Sequence, residues 1–274
     1  MNEPHLEDIE IDLLLEAIHL RYGYDFRGYA RVSVGRRIRR FCSRSGCETP
    51  ADMIPRLLHD PLFFARILPC FSVNVSEMFR DPPVFRAIRE LVVPVLRTYP
   101  SLKIWVAGCA GGEEAYSLAI LLREEGLYER TTLFATDFNA EVLERAEKGS
   151  YSLGSAEAFA TNYQQAGGKG SLSDYYHMEH RALVMDRSLR ENITFANHNL
   201  VTDGAFGEMQ MILCRNVLIY FGRQLQSRAL ELFSESLARR GFLCLGLSES
   251  LAFSIAQEDF STLDARLQIF QRNR

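Results

Sequence analysis

The sequence lacks the marks of several protein classes. No apolar run approaches the ~20 residues that a membrane-spanning helix needs. Its six cysteines, Cys42, Cys47, Cys70, Cys109, Cys214 and Cys244, include no Cys-x-x-Cys pair. No histidine stands at zinc-ligand spacing from them, so no metal site is expected. There is no internal repeat and no low-complexity tract. The acidic start, Met1 to Asp12, has no basic stretch leading into an apolar run, so no signal peptide is expected. A cytoplasmic, reducing compartment follows as an expectation. The net charge of -4 gives no overall attraction for polyanions, and no nucleic-acid partner is expected.

What is present is an ordinary globular composition, 47% hydrophobic and 24% charged, with one local anomaly. From Arg27 to Arg44 there are seven arginines and no acid, which suits a docking face as well as a solvated helix. The first part of the chain reads as helical. Ile9, Ile11, Leu14, Leu15 and Ile18 recur at helical spacing up to Gly23. Val34, Ile38 and Phe41 predict a second helix, stopped near Gly46. Thr49-Pro50 opens a third through Leu58, and Pro61 to Ile67 reads as a fourth.

From Val84 the character changes. An amphipathic helix over Val84–Leu96 precedes a strand, Leu102–Ala107, a glycine-rich turn, and a helix, Ala115–Arg123. A strand at Thr132–Asp137 and a helix at Ala140–Lys148 follow. This alternation predicts a parallel α/β sheet. Further strands are expected at Ile193–Ala196, Met209–Leu213 and Phe242–Leu245. A helix is expected over Leu225–Arg239 with Gly241 as its cap, and Leu267–Arg272 as a final edge strand. Tyr151 to Asn192, with Gly167-Gly168-Lys169-Gly170, Tyr175-Tyr176 and a strand near Arg181–Met185, reads as an inserted subdomain.

The chemistry concentrates in Ala107-Gly108-Cys109-Ala110-Gly111-Gly112-Glu113-Glu114. Glycines allow close backbone approach to a ligand, and a helix start offers free N–H groups. Two carboxylates at that start disfavour a pyrophosphate and suit a cationic ligand such as S-adenosylmethionine. A plain tight turn is the competing reading. Asp137, ending the next strand, suits ribose hydroxyls or a helix N-cap. Asn199, in Asn197-His198-Asn199-Leu200 beyond a strand end, is within reach of an adenine edge or part of a plain polar loop. Arg215 and Asn216 follow a strand and face the reacting end of a bound cofactor, leading to Tyr220-Phe221. Arg80, in Asn74-Val75-Ser76-Glu77-Met78-Phe79-Arg80-Asp81, either orients a carboxylate substrate or pairs with Asp81. The Pro-Pro-Tyr signature of enzymes that methylate base amino groups is absent.

In this order and spacing, the motifs Asn74–Arg80 with Phe85, Gly111–Ser117, Ala135–Asp137 and Cys214–Phe221 resemble the CheR-type chemotaxis receptor methyltransferases over nearly the whole chain. The resemblance implies a class I, Rossmann-like methyltransferase sheet over 71–274, an all-helical domain over 1–70, and a small inserted β subdomain at about 151–192. It implies a protein-glutamate O-methyltransferase that uses S-adenosylmethionine and leaves S-adenosylhomocysteine. Asn74, Ser76, Arg80, Glu114, Asp137, Asn199, Leu200, Arg215 and Asn216 would contact the cofactor, with Arg80 and Tyr220 at the substrate carboxylate. The partner would be the cytoplasmic domain of a chemoreceptor or related signalling protein, met by a monomer. The chain departs from the family pattern at Ser76, Met78 and Ala115. The glycine-bearing insertion by which receptor-tethering relatives grip a tail peptide is not found between Gly170 and Asn192. The alternatives are a non-catalytic S-adenosylmethionine sensor and a methyltransferase for another substrate class.

Overall fold

The computed structural model describes residues 5–71, 76–252 and 254–273. The chain separates into two compact units, Met1–Val73 with Ile219–Arg228, and Asn74–Leu218 with Ala229–Arg274. The first unit holds α1 (Leu6–Tyr22), α2 (Arg31–Ser45), α3 (Pro50–His59) and α4 (Pro61–Ile67). Gly23 and Gly46 close α1 and α2 in the left-handed region, where glycine carries no Cβ penalty. Thr49 and Asp52 form a reciprocal capping box at the start of α3. Inside, α1 buries Ile11, Leu14, Leu15 and Ile18, while Ile9 stays 41% exposed. The stretch Ile219–Arg228 joins this unit through backbone pairing. Ala30 N–H donates to Tyr220 O, and Gly222 N–H to Gly28 O, each at 2.8 Å.

The second unit opens with α5 (Pro82–Ala87) and α6 (Val93–Leu96), joined by a π-helical turn over Ile88–Val92. The apolar period predicts one α-helix here. Pro94 has no N–H to donate to the carbonyl four residues back, and the wider turn forms just ahead of it. Then follow β1 (Leu102–Ala107), α7 (Glu113–Glu124), β2 (Thr131–Asp137), α8 (Ala140–Lys148), β3 (Ser150–Ser152), α9 (Ala156–Gln165), β4 (Tyr176–Glu179), β5 (Ala182–Met185), β6 (Ile193–Asn197), β7 (Met209–Cys214), α10 (Arg223–Ser236), β8 (Leu237–Leu245), β9 (Phe260–Asp264) and β10 (Ile269–Arg272).

The main sheet has the order β6-β2-β1-β7-β8-β10-β9. Its first five strands are parallel, and β10 and β9 are antiparallel additions. Helix α7 is buried almost all round, from Ala115 to Leu122, as its unbroken apolar run requires. On the other face Trp105 is fully buried among His198, Phe206 and Phe233, and its indole N–H donates to Thr136 Oγ1 at 2.8 Å. The segment after α8 forms a separate antiparallel sheet, β3-β5-β4.

Two boundaries differ from the sequence reading. Helix α10 stops at Ser236 rather than Arg239, because Leu237 already pairs with Met209 of β7. Gly241 is therefore a strand residue, not a helix cap. A Cβ there would meet Ala238 O at 2.8 Å. The last strand, β10, is internal, and the edge is β9, whose exposed Ser261-Thr262-Leu263 carries no alternating pattern to betray it.

Candidate functional site

The turn between β1 and α7 is tied to the end of β2. Gly108 N–H and Cys109 N–H both donate to Thr136 O at 2.8 Å. Gly108 has φ 75°, and a Cβ there would lie 2.4 Å from Val217 Cγ2, so both conformation and space demand glycine. Asp137 is 8% exposed. Its carboxylate accepts from Ala110 N–H at 3.1 Å and from Asn139 N–H at 3.0 Å. Burial pushes its pKa up, opposed by those N–H donors. The N-cap of α8 is Asn139, whose side chain accepts from Glu141 N–H at 3.0 Å. Asp137 is thus released from that capping role, and its oxygens retain lone pairs for a further donor.

The adjacent glutamates part company. Glu114 Oε1 accepts from Arg215 Nη1 at 2.6 Å. Arg215 Nη2 reaches Asp81 Oδ2 at 2.7 Å and Arg80 O at 3.0 Å. The Arg215 side chain is 1% exposed. Burial works against its charge, yet Glu114 and Asp81 outweigh that and raise its pKa. Glu113 turns inward, 6% exposed, and its Oε2 has no hydrogen-bond partner among the described residues. Burial pushes its pKa up against the pull of its own backbone, Arg145 and Ser76. The Arg80 guanidinium takes no partner among the described residues, so the expected alternative, an Arg80–Asp81 pair, is replaced by Arg215–Asp81.

The strand end β7 is held by Glu249. Its carboxylate accepts from Asn216 N–H at 3.0 Å, Val217 N–H at 2.8 Å and Gly246 N–H at 2.6 Å. Asn216 is in the left-handed region, φ 61°. Asn199 closes its own loop, with Oδ1 accepting from Val201 N–H at 3.0 Å. Leu200 is buried, and His198 N–H donates to Asp137 O at 3.2 Å.

An electron-poor ligand with hydroxyls and an ammonium fits this set: a buried carboxylate at a strand end, a glycine turn, and a second buried carboxylate with a free oxygen. The profile of the CheR methyltransferase S-adenosylmethionine-binding domain matches residues 74–269, and that of the CheR all-alpha domain matches residues 9–70. The chain belongs to the CheR methyltransferase family. It is an S-adenosylmethionine-dependent methyltransferase. It is 51% identical to the Pseudomonas putida protein Cher3 over 273 residues, all of both chains. It is 29% identical to the chemotaxis protein methyltransferase of Listeria monocytogenes, over 90% of this chain and 92% of that one. To its counterpart from Vibrio parahaemolyticus it is 33% identical over 66% of each.

Among the residues singled out from sequence, the second unit brings Arg80, Glu114 and Arg215 together, and it links Asp137 to the glycine turn. Ser76 lies beside Glu113. Asn74 lies outside the described residues. Tyr220 belongs to the first unit, where Arg37 stacks 4.4 Å from its ring centroid. Three contributors were missed from sequence: Glu113 as a buried group distinct from Glu114, Glu249, and Tyr151, whose hydroxyl donates to Gly111 O at 2.8 Å. The polar Ser248-Glu249-Ser250 just past a strand end was the available signal for Glu249. Nothing in the sequence signals Tyr151.

Proposed function

We propose that the protein forms methyl esters on glutamate side chains in the cytoplasmic domain of a chemoreceptor or related signalling protein, acting as a cytoplasmic monomer. The carrying observation is that the Arg80 guanidinium has no partner among the described residues, whereas both terminal nitrogens of Arg215 are paired. Arg215 is committed to Glu114 and Asp81, whereas Arg80 is available for an incoming carboxylate. Relatives named chemotaxis protein methyltransferases support the same substrate class.

S-adenosylmethionine supplies an electrophilic methyl group. A glutamate of reference pKa ≈ 4.3 is already ionised near neutrality, so no general base is required. The protein's task is positioning. Asp137 would accept from ribose hydroxyls, with Asn199 and Leu200 bordering the base. Glu113, Glu114 and Ser76 would face the amino-acid end, and Asn74, Arg215 and Asn216 would complete the seat. Arg80 would align the attacking oxygen through paired N–H donors, and Tyr220 would add a hydroxyl donor.

Docking is narrowed by the ion pairs of the first unit. Arg27 is held by Glu16 and Asp25, Arg31 by Asp8 and Asp12, and Arg39 by Glu7. Arg36, Arg40 and Arg44 are exposed, one turn apart along α2, and form no ion pair among the described residues. We assign this stripe to an acidic receptor surface. The β4–β5 turn is only His180-Arg181, both at positive φ, with no glycine-bearing insertion, so we propose no tail-peptide grip.

The test is transfer of labelled methyl groups to a receptor cytoplasmic domain. Arg80→Ala is expected to lose the base-labile product and, because Arg80 also stands among the expected cofactor contacts, to weaken cofactor binding to a lesser degree. Arg40→Glu with Arg44→Glu is expected to raise KM for the receptor and leave cofactor affinity unchanged. Cofactor binding without any base-labile ester in the wild type would reduce the protein to a sensor.

A further inference from the structure

The helical unit carries a second chemical feature, independent of methyl transfer. Helix α2 ends in a turn whose centre is Gly46, at φ 71°, with its N–H directed at Cys42 O. Cys47 N–H returns to the same carbonyl at 3.3 Å. In a helix terminus of this type the side chains at these two flanking positions meet, a contact that is ordinarily apolar. Here both are cysteines, and both are free thiols.

The two sulfurs have different settings. Cys42 is 5% exposed and its thiol donates to Cys47 O at 3.2 Å. Cys47 is half-buried and the more accessible of the two residues. Arg56 Nη1 donates to Cys47 Sγ at 3.5 Å and to Ser45 O at 2.7 Å, which fixes the turn against α3. Burial pushes the Cys42 thiol pKa up, and charge on Cys47 pushes it further. Cys47 is therefore the thiol that meets an oxidant first, and Cys42 the one that follows.

We propose that Cys42 and Cys47 are a dithiol–disulfide couple, a site of reversible oxidation by peroxide at the end of the arginine-bearing helix. In the first step the Cys47 thiolate attacks hydrogen peroxide. An S–O bond forms, the O–O bond breaks, and hydroxide leaves with the thiol proton as water. In the second step the Cys42 thiolate attacks the sulfenic sulfur. The S–S bond forms, the S–O bond breaks, and a second water leaves. The two sulfurs are oxidised and the two peroxide oxygens are reduced. A thiol reductant restores the pair.

The experiment treats the full chain with hydrogen peroxide, blocks remaining thiols by alkylation and digests with trypsin without reduction. Cleavage after Arg40, Arg44 and Arg56 leaves Cys42 and Cys47 on separate peptides. The expected result is one cross-linked species containing both, lost on adding reductant and unchanged in Cys70→Ser. Cys47→Ser abolishes it. Cys42→Ser leaves Cys47 as a sulfenic acid that a dimedone probe traps. Oxidation of wild-type Cys47 to sulfinic acid with Cys42 still alkylated, or a cross-link from Cys47 to Cys70, would overturn the proposal.

Discussion

The two units use charge in opposite ways. In the helical unit the ion pairs are exposed: the Arg39–Glu7 pair has side chains 54% and 36% accessible. In the sheet unit Arg215, 1% accessible, is locked between Glu114 and Asp81. Exposed pairs are screened and give little stability, whereas breaking a buried pair strands a charge in a poor solvent. The first arrangement leaves a surface free to meet a partner. The second fixes the relative positions of three chain segments, and with them the start of the helix that follows the glycine turn.

Substitutions test this contrast directly. The largest effect belongs to Arg215→Ala, which leaves Glu114 and Asp81 unpaired. It is expected to cost about 3–5 kcal/mol in urea denaturation and to abolish methyl transfer. A loss no greater than that of a surface pair would remove the distinction between the units. Next comes Gly108→Ala, where the left-handed backbone and the overlap with Val217 together cost about 2–4 kcal/mol. Its signature is a weakened affinity for S-adenosylmethionine in calorimetric titration.

Glu113→Gln is smaller and of opposite sign. The folded state raises the pKa of Glu113. The stability linked to it is therefore present below the ordinary carboxylate value and lost as pH climbs through the raised one. Thermal melts of the ligand-free protein at neutral pH should show the Gln variant more stable, with the difference closing in acid. A Gln variant less stable at every pH would mean that the carboxylate is held by partners rather than merely buried. The smallest effect is Glu7→Ala, which frees Arg39 and should leave the melting temperature unmoved.

Much of this architecture was legible because local demands were strong. Gly23, Gly46 and Thr49-Pro50 marked helix ends by conformation and capping, and the positions of α3, α4, β1 and α8 follow from such signals. The glycine turn was legible because a strand, glycines and a helix start occur in sequence. What escaped depended on distant partners. Leu237-Ala238-Arg239-Arg240 has the composition of a helix, but strand pairing with β7 overrides it. The doublet Glu113-Glu114 reads as two equal charges. Only Arg215, remote in sequence, divides them into a paired carboxylate and a buried one. Glu249 is silent for the same reason, since the N–H groups that it gathers lie on two separate strand ends.

The turn around Gly108, closed by Asp137, is proposed to seat the methyl donor for a glutamyl acceptor. The most direct measurement compares wild type and Asp137→Ala with methyl-labelled S-adenosylmethionine and a chemoreceptor cytoplasmic domain. The predicted result is a base-labile methyl ester with the wild type. In the variant, the loss of charge-assisted hydrogen bonds should weaken cofactor binding by roughly tenfold or more, with a matching fall in ester formed at low cofactor. Full activity of Asp137→Ala, or a wild-type label that resists base, would contradict the account.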